Sequence, residues 1–330
     1  MLPSRSMQKP LAIAATAALL VLFLHAAALP AAPLKIVATL PILKDFADQV
    51  GREHVEVRTL ITGLESEHSY SPKPSDLKAL GEARLLLEVG LGLEVWVSGL
   101  VKNAGNATLR IVTTSEGVGL IRDHASHASS AGNPHIWLDP ENAKVMVRHI
   151  ADALVAADPA HKDAYLMNLA DYLRRLDQTQ RDLLQRVAPL RDRRIVTHHA
   201  AWPYFARRFG FQIEGDILQQ MGMEPSSTHL AEIAKRIKSG RIKVIVSEPQ
   251  FNQKVVKALA DETGARIVVL SPLPGTIKGT ETYLALLAYN VTKLVAALQS
   301  ERGPVRPSSW APMPPNPTLA PAEPEARLQP

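Results

Sequence analysis

From Ala160 to Val187 the chain runs without a single Gly or Pro, and Leu, Asp, Gln and Arg recur at helical spacing. An uninterrupted stretch of this kind predicts one helix of about seven turns. No strand-like run lies beside it, so the reading is a stiff connector between whatever folds before it and whatever folds after it. Those two flanks read alike. Before the helix, short β-branched or leucine-rich runs at residues 35–40, 55–61, 85–89 and 109–113 alternate with amphipathic segments. One such segment starts near Ser75. Another starts at Asp139-Pro140, where Asp serves as a cap and Pro fits the first helical position. After the connector, runs at 194–197, 212–217, 244–247 and 266–270 alternate with helices near Trp202, His229, Asn252 and Tyr283. Strands alternating with helices form parallel sheets through βα crossovers. The expectation is therefore an α/β protein of two lobes, each a parallel sheet flanked by helices, joined by one long rigid helix. The first lobe would span 33–158, the connector 159–189 and the second lobe 190–300. At 330 residues the chain exceeds the size at which a single core keeps growing, which agrees with two lobes.

The two ends differ in composition from this middle. Arg5 and Lys9 precede an apolar run from Leu11 to Leu24, and small residues follow at 26–28. This is the pattern of a secretory signal peptide, expected to occupy 1–32 with cleavage near Ala28 or Ala32. The apolar run is short for a bilayer span and no basic stop follows it. Residues 301–330 are rich in Pro with few apolar anchors, and read as a disordered tail or spacer. The chain contains no Cys. A disulfide framework and a lipid-modified cysteine are both excluded by that composition, so the expectation is a free periplasmic protein with no lipid anchor. The formal charge of +5 comes from Lys and Arg interspersed with Asp and Glu, a pattern that suits a mildly basic surface rather than a nucleic-acid binder.

Ligands of open α/β sheets bind beyond the carboxyl ends of the strands. Three histidines stand there: His68 after the second strand, His135 after the fourth, and His199 closing the first strand of the second lobe. Three imidazoles without thiolate suit Zn²⁺, with a fourth place for a carboxylate or a water. A carboxylate would close the site and favour binding; a water would leave hydrolysis open.

The blocks around these residues resemble the solute-binding proteins of zinc and manganese ABC importers. The resemblance covers roughly residues 34–298. It is carried by His68-Ser69-Tyr70-Ser71-Pro72-Lys73-Pro74-Ser75-Asp76, by Asn133-Pro134-His135-Ile136-Trp137-Leu138-Asp139-Pro140 and by Thr197-His198-His199-Ala200-Ala201-Trp202-Pro203-Tyr204-Phe205. Gly90-Leu91-Gly92-Leu93-Glu94-Val95-Trp96, Glu224-Pro225-Ser226 and Ser247-Glu248-Pro249-Gln250-Phe251 support it.

The resemblance implies two α/β lobes on a rigid helix, metal ligands at His68, His135 and His199, an ABC permease as partner, and a monomeric carrier that is not an enzyme. His at position 199 is the zinc-type choice, where many manganese-type members carry Glu. Ser271 stands where many members have a ligating Asp, which leaves water as first choice for the fourth donor, with Glu67 or Glu281 as carboxylates within reach. Imidazole-rich donor sets favour zinc over manganese. The rival readings are a manganese or iron carrier using the same cleft, a periplasmic zinc hydrolase, and a surface adhesin with a structural metal.

Other residues carry less. His198 is expected on the opposite face of its strand from His199. Asp123, His124 and His127 form a short polar loop, and His54, His149, His161 and His229 read as surface residues. Gly90-Leu91-Gly92 lacks the third glycine of a dinucleotide fingerprint.

Overall fold

The computed structural model describes residues 32–122, 132–219 and 221–300. Most of the expected leader, the polar loop with His124 and His127, and the Pro-rich tail lie outside them. Among the described residues, eight strands and nine α-helices follow in chain order. The first half holds β1 (Leu34–Ala38), α1 (Pro41–Gly51), β2 (Val55–Thr59), α2 (Pro74–Glu82), β3 (Leu85–Glu88), α3 (Val97–Ala104), β4 (Arg110–Thr113) and α4 (Pro140–Ala157). The long helix is α5 (Lys162–Val187). The second half holds β5 (Arg194–Thr197), α6 (Pro203–Phe209), β6 (Gln212–Asp216), α7 (Ser227–Gly240), β7 (Val244–Ser247), α8 (Gln253–Thr263), β8 (Arg266–Val269) and α9 (Tyr283–Gln299).

Both sheets are four-stranded and fully parallel, ordered β2-β1-β3-β4 and β6-β5-β7-β8. The second order repeats the first, so the alternation read from the sequence is a repeat of topology as well as of pattern. Central strands are covered on both faces and read as continuous apolar runs: Leu85, Leu86 and Leu87 are wholly buried, as are Val244, Ile245 and Val246. Each such side chain contributes about 1.5–3 kcal/mol of burial free energy. Edge strand β2 alternates instead, with Val55 and Val57 inward and Glu56 outward. In each sheet the chain steps first to one side and then to the other, which opens a crevice at the carboxyl ends of the inner strands.

Several expected strands end one or two residues early. Residues 39–40, 60–61, 89 and 270 continue the apolar pattern but have turned into the loops above the sheets, where they stay buried. Asp139 caps α4 as expected, its carboxylate accepting from the Glu141 N–H at 2.9 Å, with Pro140 at the first helical position.

The long helix does more than bridge a gap. At about 1.5 Å per residue α5 spans about 39 Å, and it packs against α1, α4 and α9 along its length. Its buried stripe is Tyr165, Asn168, Tyr172, Leu176, Leu183 and Val187, spaced at three, four or seven residues along one face. Asn168 donates to the Val50 carbonyl at 3.0 Å and so ties the helix to α1. The last helix, α9, reaches back to the first lobe. The Tyr283 N–H donates to Asp45 Oδ2 at 2.8 Å, its hydroxyl donates to the Trp137 carbonyl at 2.6 Å, and its ring meets Phe46 edge-on at 5.1 Å. One apolar core therefore runs from the first sheet through α5 to one side of the second sheet. A smaller core of Val196, Ile217, Ile233, Ile237, Ile245 and Val256 lies under α7 and α8.

The four histidines read as surface residues are half-buried and partnered. His54 stacks on His161 with ring centroids 3.9 Å apart, His161 Nδ1 lies 2.6 Å from Asp158, His149 Nδ1 lies 3.1 Å from the Thr114 carbonyl, and His229 Nε2 lies 2.9 Å from the Asp216 carbonyl. Imidazole presents an apolar ring as well as polar nitrogens, so it settles at seams between elements. Among the described residues no helix is long and apolar enough to cross a membrane.

Candidate metal centre

The loop after β2 delivers Glu67 and His68. It can approach the second lobe because Gly63 takes φ +97°, and a Cβ there would stand 2.8 Å from Thr276 Cγ2. The indole N–H of Trp96 donates to the Glu67 carbonyl at 3.2 Å, and Tyr70 packs on Trp96 with ring centroids 4.9 Å apart. The Tyr70 hydroxyl donates to Asp76 at 2.8 Å, which fastens the far end of the loop to the start of α2. His135 comes from the segment between β4 and α4 and is fully buried; His199 follows β5 and is buried as well.

These four residues converge. His135 Nε2 lies 3.3 Å from His68 Nε2, 3.4 Å from His199 Nε2 and 3.4 Å from Glu67 Oε1. All four donor atoms fall within 4.8 Å of one another. A tetrahedron with bonds of about 2.0–2.1 Å has edges of about 3.3–3.4 Å, so the three contacts of His135 match the ligand spacing of a four-coordinate zinc ion.

Hydrogen bonds on the outer side orient the rings. His135 Nδ1 lies 3.0 Å from Asn133 Oδ1, and His199 Nδ1 lies 2.7 Å from Glu248 Oε1. With each Nδ1–H donated outward, each Nε2 turns a lone pair toward the centre. Glu248 also accepts from Trp202 Nε1 at 3.1 Å and from Gln250 Nε2 at 3.0 Å, which fixes its carboxylate. Asn133 in turn donates to the Ala200 carbonyl at 2.7 Å and accepts on its own carbonyl from the Tyr204 hydroxyl at 2.9 Å. The ligand-bearing segments of the two lobes are therefore latched together beside the centre. A partly buried ion pair reinforces the latch: Arg208 of α6 reaches Asp139 with Nε at 2.6 Å and Nη2 at 3.1 Å.

The electrostatics of the cluster call for a cation. Glu67 is buried, and its Oε1 has no hydrogen-bond donor among the described residues. Leaving a carboxylate oxygen in that condition is costly unless a positive charge compensates it. Burial on its own would lower the pKa of His199, but the Glu248 carboxylate at its Nδ1 and, further off, Glu67 outweigh burial and raise it. The ring is correspondingly electron-rich. His198 behaves in the opposite way. Burial, then its neighbour His199, push it down to about 4, and it packs on Phe251 at 4.9 Å, outside the cluster.

The structure separates the candidates for the fourth donor. Glu67 stands in the cluster, whereas Glu281 accepts from the Gly279 N–H at 2.8 Å in an exposed turn. Ser271 is buried, and its hydroxyl serves its own loop, donating to the Leu273 carbonyl at 2.8 Å and accepting from the Leu273 N–H at 3.1 Å. Two residues whose roles the sequence reading did not assign, Asn133 and Glu248, orient the imidazoles. A signal for Glu248 was present: it directly follows β7, at the same strand-end position that singled out the histidines.

Residues 36–297 match the family described as zinc-uptake complex component A, periplasmic. Among curated proteins, the high-affinity zinc uptake system protein ZnuA of Brucella abortus (strain 2308) is 28% identical over 272 residues, covering 70% of this chain and 81% of that protein. The manganese ABC transporter substrate-binding lipoprotein PsaA of Streptococcus anginosus is 25% identical over 303 residues, covering 85% and 97%. A crystal structure of ZnuA is similar at a TM-score of 0.74 and 29% identity, covering 81% of this chain and all of that one.

Proposed function

The chain belongs to the family of periplasmic zinc-uptake components, metal-binding solute-binding proteins of ABC importers, and on that premise we propose that it captures Zn²⁺ and delivers it to a membrane permease. His68, His135, His199 and Glu67 are the ligands in this reading. The observation that carries it is the convergence of three Nε2 atoms and a buried carboxylate oxygen that has no hydrogen-bond donor, all within 4.8 Å of one another. Three nitrogens and one oxygen favour zinc; manganese is better served by more oxygen donors.

Four protein donors fill a tetrahedron and leave no place for a reactive water. That supports a carrier and counts against the hydrolase reading. His68 is the most exposed ligand, with 16% of its side chain accessible, so the Glu67–His68 arm is the side by which the ion enters and leaves. The protein acts in the periplasm, exported by its leader, as a monomer that docks on the permease; ATP hydrolysis belongs to another subunit.

Metal analysis of protein purified without added metal, followed by competition between Zn²⁺ and Mn²⁺, tests the reading. One zinc per chain, retained against a hundredfold excess of manganese, is expected. Displacement by equimolar Mn²⁺ would transfer the assignment to a manganese carrier.

A further inference from the structure

At the opposite end of the second sheet from the metal centre, where β5 and β6 begin, a concavity of about 550 Å³ is lined by Arg191, Asp192, Arg193 and Arg194 together with Gly210 and Gln212. Three arginines and one aspartate stand in this lining, a balance of two positive charges (3 minus 1). The carboxylate is already engaged. Asp192 Oδ1 accepts from Arg194 Nε at 2.9 Å and Oδ2 from Arg194 Nη2 at 3.0 Å, and the positive charge of Lys243 acts on it as well. It does not neutralise the other two arginines.

Arg193 is held by main-chain carbonyls. Its Nε donates to Leu190 O and its Nη2 to Ala188 O, both at 3.2 Å. These contacts fix the plane of the fork while leaving the charge uncompensated. Its Nη1 comes so close to Gly210 that a Cβ there would stand 2.7 Å away, so glycine, at φ +75°, makes the room this group occupies. Arg191 is exposed and makes no hydrogen bond or ion pair among the described residues. With Nε and one hydrogen of Nη2 engaged, Arg193 offers its remaining Nη hydrogens, and a guanidinium already held in place loses little rotamer freedom when an oxyanion accepts from it.

We propose that this concavity is a binding site for a doubly charged tetrahedral oxyanion of the phosphate class, held by Arg193 and Arg191 with Arg194 completing the positive wall. The site lies where α5 gives way to β5, and it is independent of the metal reading: loss of one leaves the other intact.

The test is calorimetric titration of the full chain with inorganic phosphate at low ionic strength, on the wild type and on Arg191→Ala, Arg191→Glu and Arg84→Ala. Arg84 sits in the other lobe, where it donates to the Thr108 carbonyl, and serves as the control. Saturable binding is expected in the wild type and in Arg84→Ala. Arg191→Ala is expected to weaken it at least tenfold and Arg191→Glu to abolish it, with zinc binding unchanged in all four. Arg191 is exposed, so its replacement does not threaten the fold. Flotation with phosphatidic acid vesicles, against phosphatidylcholine controls, separates the two sources of such a group. Flotation reversed by free phosphate assigns the site to a lipid headgroup, and phosphate binding without flotation assigns it to a soluble anion. No saturable phosphate binding, or equal binding by wild type and Arg191→Glu, overturns the proposal.

Discussion

Replacing Glu248 by Gln and by Ala distinguishes a carboxylate that tunes a ligand from one that only fills space. Glu248 accepts three hydrogen bonds, from His199 Nδ1, Trp202 Nε1 and Gln250 Nε2. The His199 contact is the one that reaches a proposed metal ligand. In Glu248→Gln an amide oxygen still accepts from Nδ1, but the charge is gone. The bond falls from the charge-assisted range of about 1.5–3 kcal/mol toward the neutral range of about 0.5–1.5 kcal/mol. A difference of about 1–1.5 kcal/mol is roughly a tenfold loss of zinc affinity. In Glu248→Ala the Nδ1–H and the Trp202 N–H both lose their acceptor, each at about 1–3 kcal/mol. His199 is then free to rotate, and the affinity loss grows toward about a hundredfold, the upper end for groups that orient metal-bound histidines. The assay is competition for Zn²⁺ against a fluorescent chelator, with calorimetric unfolding of the metal-free proteins alongside. The ordering wild type, Gln, Ala is expected in affinity, with the apo protein clearly destabilised only in Ala. Equal affinities for all three proteins would refute the claim that Glu248 acts through His199.

Glu67→Gln removes the orphaned charge and should act in opposite directions on stability and function. The apo protein becomes more stable because a buried carboxylate charge without a hydrogen-bond donor at Oε1 disappears, while zinc affinity falls about 10²–10³-fold, roughly a quarter of a total near 10–16 kcal/mol for a four-donor site; unfolding midpoints and zinc titration of the same samples check both signs. Asp139→Ala breaks a partly buried ion pair with Arg208 and removes the cap of α4, so chemical denaturation should show a loss of about 2–4 kcal/mol. Glu94 sets a pH dependence: burial lifts its carboxyl to about 7 against hydrogen bonds from Val89, Thr39 and Gly90 that pull it down. Since the folded state then holds its proton above the unfolded value of 4.5, this contribution to stability is complete below pH 4.5 and is lost as pH rises through about 7. Urea unfolding at pH 5 and pH 8 should find Glu94→Gln gaining about 2–3 kcal/mol on wild type over that interval, and parallel slopes would disprove the assignment.

The convergence of the candidate ligands was legible in the sequence to the extent that strand ends were legible. His68, His135 and His199 were singled out because parallel strands announce themselves as short apolar runs, and ligands gather where those runs stop. The fourth donor was not legible, because Glu67 and Glu281 are both loop carboxylates and nothing local separates one that points inward from one that caps a turn. Ser271 reads the same way: its identity shows a weak ligand, but only coordinates show its hydroxyl committed to Leu273. The long helix was predicted by composition, yet its packing against α1 and α9 depends on residues about a hundred or more positions apart, such as Asn168 and Val50.

Periodicity and breaker residues determined the elements of this chain, since both act within a few residues of one another, and residue chemistry determined that any metal would be held through imidazole and oxygen. Tertiary structure alone decided which carboxylate completes the cluster, which groups turn each imidazole, and how the two lobes share a core. Those outcomes depend on distances between segments up to about two hundred residues apart, and such distances are set by the summed packing of the whole fold rather than by any local stretch.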